Sequence, residues 1–75
     1  MTWLLLDSQM FLSVAYDAKQ RVLYLRFRSG DVYRYFQFSN DDYQRFLAAE
    51  SHGRHFLTHI RNCFSYERLA KLQVA

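Results

Sequence analysis

Proline is absent from this 75-residue chain, cysteine occurs once and glycine twice. A lone thiol, Cys63, excludes an intrachain disulfide and a cysteine-rich zinc framework, and a reducing compartment, the cytoplasm, suits such a chain best. With Gly30 and Gly53 as the only glycines there is no glycine-rich loop to cradle a phosphate. Without proline, strand edges must be protected by charge or by cover from the terminal arms. Long apolar runs are missing too. Met1-Thr2-Trp3-Leu4-Leu5-Leu6 carries no basic leader and stops at Asp7 and Ser8, short of a signal core or a membrane span, so residues 1–7 read as a packing arm or an added edge strand.

What the chain has in quantity is apolar and aromatic side chains, 51% and 19% of its residues. Aromatic rings bury large areas each, so one small domain over residues 1–75 can build a core without covalent staples. The formal charge of +3 permits a nucleic acid or an acidic partner without demanding either.

Met10 to Asp17 alternates Met10, Leu12, Val14 and Tyr16 against Phe11, Ser13 and Ala15, the period of a half-buried strand. Asp17-Ala18-Lys19-Gln20 reads as a turn, pairing Val14 with Leu23 and Leu12 with Leu25. Ser29-Gly30 reads as a two-residue hairpin loop. That loop pairs Phe27 with Val32, Leu25 with Arg34 and Leu23 with Phe36 on a greasy face. The opposite face then carries Phe11, Tyr24, Arg26, Arg28, Tyr33 and Tyr35. Arg34 is the charged exception on the greasy face, and Asp42 is its expected partner. The predicted core is Leu12, Val14, Leu23, Leu25, Phe27, Val32, Phe36, Phe46, Phe56 and Ile60.

After Phe38 the period lengthens. Ser39 is placed to cap a helix with Asp41 and Asp42 in its first turn, and Tyr43, Phe46 and Leu47 form its apolar face. Ser51-His52-Gly53 reads as the break before a second helix carrying Phe56, Leu57, Ile60, Cys63 and Phe64. From Ser65 the pattern is ambiguous, since Tyr66, Leu69, Ala70 and Leu72 suit a helix or a lie along the sheet, and 69–75 are left as a tail. The expected architecture is an α+β fold, a three-stranded antiparallel meander followed by two helices packed on one face.

The order of these residues resembles the KTSC domain, a short module found at the C-terminus of some lysyl-tRNA synthetases and as free-standing small bacterial proteins. The resemblance rests on Val14-Ala15-Tyr16-Asp17, Leu23-x-Leu25-x-Phe27 before Ser29-Gly30, Tyr33-Arg34-Tyr35, Tyr43 and Leu47, Ser51-x-Gly53-x-x-Phe56, Ile60-Arg61, and Tyr66-x-Arg68. It spans about Ser8 to Arg68. Ala15 stands where the family tends to have Gly, Ser39 where a Pro is usual, and His55 and Phe64 where Tyr is frequent. Attachment to a tRNA synthetase implies RNA binding.

Tyr24, Arg26, Arg28, Tyr33 and Tyr35 suit a platform on which rings stack unpaired bases while arginines meet phosphates. Cross-strand packing of tyrosines accounts for the same pattern. Arg54, Arg61 and Arg68, spaced by seven with Lys71 nearby, form one basic stripe if the second helix runs on. The partner is single-stranded or structured RNA, or alternatively a protein or a second copy docking on the same aromatic face or a strand edge. His55, His59 and Cys63 fall one helical turn apart with His52 before them, but no second thiol or carboxylate cluster completes a metal site. Cys63 beside His59 lacks an orienting third group and an oxyanion hole, so neither catalysis nor a cofactor is expected.

Overall fold

Five antiparallel strands pair in chain order: β1 (Leu4–Leu5), β2 (Phe11–Asp17), β3 (Val22–Phe27), β4 (Asp31–Tyr35) and β5 (Tyr66–Lys71). Two helices, α1 (Asn40–Ala48) and α2 (His52–His59), lie between β4 and β5 in sequence. The computed structural model describes residues 1–71; Leu72 and the rest of the tail lie outside the described residues. The α+β meander with two helices is therefore present and is flanked by two further strands. The N-terminal arm supplies one edge, pairing Leu4 with Val14 and Leu5 with Ser13. The ambiguous segment after Ser65 supplies the other, along β4.

The turns shift the expected registers. Between β2 and β3 the turn is Ala18–Arg21, closed by Arg21 in the left-handed region at φ 57° and by the Asp17 carboxylate accepting from the Gln20 N–H at 3.1 Å. Val14 consequently pairs with Leu25 and Tyr16 with Leu23, two residues along from the expected register, which leaves each strand's faces unchanged.

Between β3 and β4 the shift is one residue, and its effect is larger. The Gly30 N–H donates to the Phe27 carbonyl at 3.0 Å and Gly30 sits at φ 98°. Arg28-Ser29-Gly30 thus forms a three-residue loop that ends in a left-handed glycine. Tyr24 pairs with Arg34, Leu25 with Tyr33 and Leu23 with Tyr35. Tyr33 and Tyr35 accordingly turn to the helix side, while Val32, Arg34 and Phe36 turn to the face no helix covers. Arg34, expected opposite Leu25, pairs with Glu67 of β5, and Asp42 pairs with Arg45 of its own helix.

An irregularity between Phe11 and Ser13 exchanges faces at the start of β2. Phe11 becomes fully buried in place of Leu12, and its ring meets those of Phe27, Phe46 and Phe56 at centroid distances of 4.8, 5.8 and 5.3 Å. The core comprises Phe11, Val14, Leu23, Leu25, Tyr35, Phe38, Phe46, Phe56 and Ile60. Of the expected members, Leu12, Val32 and Phe36 stay half-buried, and Phe27 packs against the core's margin.

Each helix begins at a serine. Ser39 Oγ accepts from the Asp42 N–H at 3.1 Å, and Ser51 Oγ from the Arg54 N–H at 3.2 Å. Gly53 therefore belongs to the first turn of α2 instead of breaking the chain. A side-chain carbon there would lie 3.5 Å from the methyl of Met10, so the helix seats closely on the start of β2. α2 closes at Ile60, short of Cys63, which stands exposed.

The swap at the start of β2 is open to measurement. Phe11→Ala should lower unfolding free energy by about 3–5 kcal/mol, whereas Leu12→Ala should cost about 1 kcal/mol. Equal losses in urea unfolding, or a larger one at Leu12, would contradict the described face exchange.

Candidate functional site

The eight residues singled out for binding separate into distinct places. Tyr24 and Arg26 lie on the sheet face away from the helices, and Tyr33 and Tyr35 on the helix side. Arg28 stands in the hairpin loop, its Nε donating to the Ser8 carbonyl at 2.6 Å and its N–H to the Met10 carbonyl at 3.0 Å. It ties the start of β2 to the hairpin instead of forming part of a platform. Arg54 lies in α2, Arg61 in the turn after it and Arg68 in β5, so the basic stripe does not exist: the helix that would align them ends at His59.

On the helix side a groove of about 520 Å³ opens where α2 stops short of β4 and β5. Phe27, Tyr35 and Phe56 lie along it with Met10 and Leu57, and Asp31, Arg61 and Asn62 bring polar groups to it. Tyr33 and Tyr35 stand on β4 two residues apart with near-parallel rings, centroids 6.4 Å apart. Tyr66 of β5 meets both, at 5.7 and 5.8 Å. Tyr35 is 3% exposed, Tyr33 is half-buried, and Tyr66, at 58%, is the ring most open to solvent. Burial pushes the Tyr35 hydroxyl far above its ordinary pKa, Tyr33 and Tyr66 push the same way, and Arg61 pulls it back. Arg68, opposite Tyr33 on β5, is held by Asp31 at 2.9 Å. Tyr66 was missed because the strand that presents it begins where the pattern is ambiguous, and Asn62 because the second helix, expected to run through Cys63 and Phe64, ends at His59.

The other sheet face carries a second aromatic and basic surface. Arg26 lies over the Trp3 ring at 4.6 Å, Trp3 meets Tyr24 edge-on at 6.4 Å, and Arg34 lies over Phe36 at 5.3 Å. Arg34 also pairs with Glu67, and the Tyr24 hydroxyl and that carboxylate raise its pKa. Trp3, Arg34 and Phe36 were absent from the expected site, since the two-residue loop expected at Ser29-Gly30 put the latter two on the greasy side and the observed one-residue shift moves them off it.

The histidines form a row on α2 instead of a metal cage. His55 and His59 have centroids 4.7 Å apart, and His52 and His55 lean on Phe46 at 5.1 and 5.9 Å. Among the described residues no three His, Cys, Asp or Glu side chains converge on a metal position. Among the same residues no helix is long and apolar enough to cross a membrane.

Burial, then the neighbouring His59 and His52, lowers the His55 pKa below its ordinary 6.5, with Asp42 acting in the opposite direction and Arg45 adding to the lowering. The unfolded chain therefore takes up this proton first as pH falls. The stability contributed by neutral His55 is present above about pH 6.5 and declines as pH drops toward the lower folded-state value. His55→Gln should flatten the loss of urea midpoint between pH 7.5 and pH 5, and an unchanged slope in that variant would remove His55 as its source.

Comparison with known proteins places this geometry. The crystal structure of a KTSC domain protein from Yersinia pestis aligns with a TM-score of 0.89 at 29% identity, covering 92% of this chain and 97% of that one. An uncharacterized protein of Stutzerimonas stutzeri is 41% identical over 51 residues, 68% of this chain and 72% of its own length. The sequence profile of the KTSC domain matches residues 7–66, from the approach to β2 through both helices to the first residue of β5. On that match, and on a fold shared nearly end to end with the Yersinia protein, the chain belongs to the KTSC domain family.

Proposed function

We propose that the domain binds single-stranded RNA in the tyrosine groove, without catalysing a reaction on it. The observation that carries this reading is the pairing of the solvent-reaching Tyr66 ring, backed by Tyr33, with Arg61 and Asn62 in the same concavity. An unpaired base stacks on an exposed ring for about 1–3 kcal/mol whatever its sequence, and a cation beside that ring meets the phosphate that follows. Among the described residues Arg61 has no carboxylate partner, whereas Arg68 is already paired with Asp31. Arg61 is accordingly the phosphate contact and Arg68 a brace. Buried Tyr35 supports the wall and offers no stacking face.

A protein partner in the same groove is the second reading, favoured by Leu57, 48% exposed beside Tyr66. Tyrosine and arginine serve such contacts equally well. The two differ in their response to salt, since displaced counterions make RNA affinity fall steeply while a ring-packed protein contact changes little.

Titration with a short oligouridylate at several salt concentrations tests the choice. Tyr66→Ala should weaken binding by about 1–3 kcal/mol. Arg61→Gln should reduce the slope of log affinity against log salt by about 0.7, and Arg54→Ala should leave that slope nearly unchanged. Absence of binding at low salt rules out the RNA reading and leaves the protein partner.

A further inference from the structure

Tyr35 holds a β4 position where a phenylalanine would fill the same space against Phe56. The residue is 3% exposed, and a hydroxyl in such a place is ordinarily hydrogen-bonded. Tyr16 follows that rule, donating to the Phe38 carbonyl at 2.6 Å. Tyr35 does not, since among the described residues its hydroxyl has no hydrogen-bond partner. Nor is that oxygen sealed. The described side-chain nitrogens and oxygens that are both closed to solvent and unpartnered are Ser13 Oγ, Arg26 Nε and Arg34 Nε, and the Tyr35 oxygen is not among them. Tyr35 lines the groove, and so do the three groups whose charges act on its hydroxyl, Tyr33, Tyr66 and Arg61. The ring is therefore buried while the oxygen faces the opening, in the floor of the groove.

Burial keeps this hydroxyl in its neutral O–H form, in which it donates a hydrogen bond. Arg61 and the Asn62 amide add further donors beside it. The carboxylate at the groove, Asp31, already accepts from Arg68 at 2.9 Å and from the Ser29 hydroxyl at 3.0 Å. A ligand that reaches the floor is met by donors and has to bring an acceptor.

We infer that the Tyr35 hydroxyl donates to a ring carbonyl of the base stacked on Tyr66, so that the groove selects uracil over adenine. This rests on the RNA reading of the groove. The Tyr66 and Tyr35 rings are 5.8 Å apart, so a base lying on the first turns its polar edge, and not its phosphate, toward the second. Uracil presents a carbonyl where adenine presents an amino group, which is itself a donor. Adenine on the same ring leaves the phenol of Tyr35 facing that donor, whereas stacking alone makes little distinction between them.

Tyr35→Phe removes the oxygen and keeps the ring. Wild type and variant are titrated with hexauridylate, hexaadenylate and an abasic ribose-phosphate strand of equal length. Tyr35→Phe should weaken hexauridylate by about threefold to tenfold and leave the other two strands nearly unchanged. Because stacking strength differs among bases, the criterion is the change in the uridylate-to-adenylate ratio on substitution and not the ratio itself. The urea midpoint of Tyr35→Phe should equal or exceed that of wild type, since no internal hydrogen bond is lost. A clearly lower midpoint, or a variant that does not fold, assigns the hydroxyl a partner inside the protein and overturns the inference. Equal weakening of all three strands, or of none, overturns it as well. If Tyr66→Ala weakens hexauridylate and Tyr35→Phe does not, the groove reading stands and this one falls; if no strand binds wild type, both fall.

Discussion

Gly30 closes the β3–β4 hairpin at φ 98°, and the two-residue period of a strand converts that single torsion into a choice of face for every residue of β4. An L-residue pays strain in that conformation, so the three-residue loop is available because glycine stands at its last position. With the loop in place, Tyr35 slides under α2, against Phe56 at 5.7 Å, and Arg34 is spared burial beneath the helices. The alternative two-residue loop would drive Arg34 into the layer filled by Leu25 and Phe56, at the cost of an uncompensated buried charge. Turn geometry and charge burial thus favour the same register.

Division of the aromatic residues between two faces follows from it. The helix side receives a continuous ring network from Phe46 through Phe11, Phe27 and Phe56 to Tyr35, Tyr33 and Tyr66, running from fully buried to exposed. The groove is the place where this network emerges into solvent. On the far face, β2 presents the small residues Ser13 and Ala15, both buried, next to Arg26 and Tyr24 on β3. Small side chains on β2, between β1 and β3, let Trp3 and Arg26 lie low across the sheet, so a two-residue edge strand suffices to bring an indole onto it.

Much of this was legible in the residues. Alternation in Val14, Leu23 and Leu25 identified the strands and their buried side, because a shift of two in the β2–β3 register leaves faces intact. Ser39 announced its helix through a short-range cap that needs no tertiary context. What was not legible depended on one-residue offsets. The bulge that trades Leu12 for Phe11 is decided by how well a phenyl ring fills the space among Phe27, Phe46 and Phe56, a property of the assembled core. Ser29-Gly30 accommodates loops of two or three residues, and the choice rests on contacts far along the chain. β5 was obscured because Glu67, Arg68 and Leu69 do not alternate cleanly, and the register shift between Val32 and Tyr33 shows why: the strand pair is itself bulged there. The arginine stripe looked aligned only while one continuous helix was assumed.

Chain order gives the groove a dependence the rest of the sheet lacks. β1 through β4 meet partners adjacent in sequence, whereas β5 reaches β4 only after the whole helical segment has doubled back, with Phe36 N–H donating to the Ser65 carbonyl at 2.9 Å where the loop closes. Tyr66 and Tyr33 therefore become neighbours through long-range closure and not through a local turn, and that closure carries an entropic cost the hairpins escape. The meander alone contains Tyr33 and the far-face arginines but no groove. In evolutionary terms the two surfaces are unequally exposed to change: an altered length or packing of the helical insert reshapes the groove directly, and reaches the far face through Glu67, the β5 partner of Arg34.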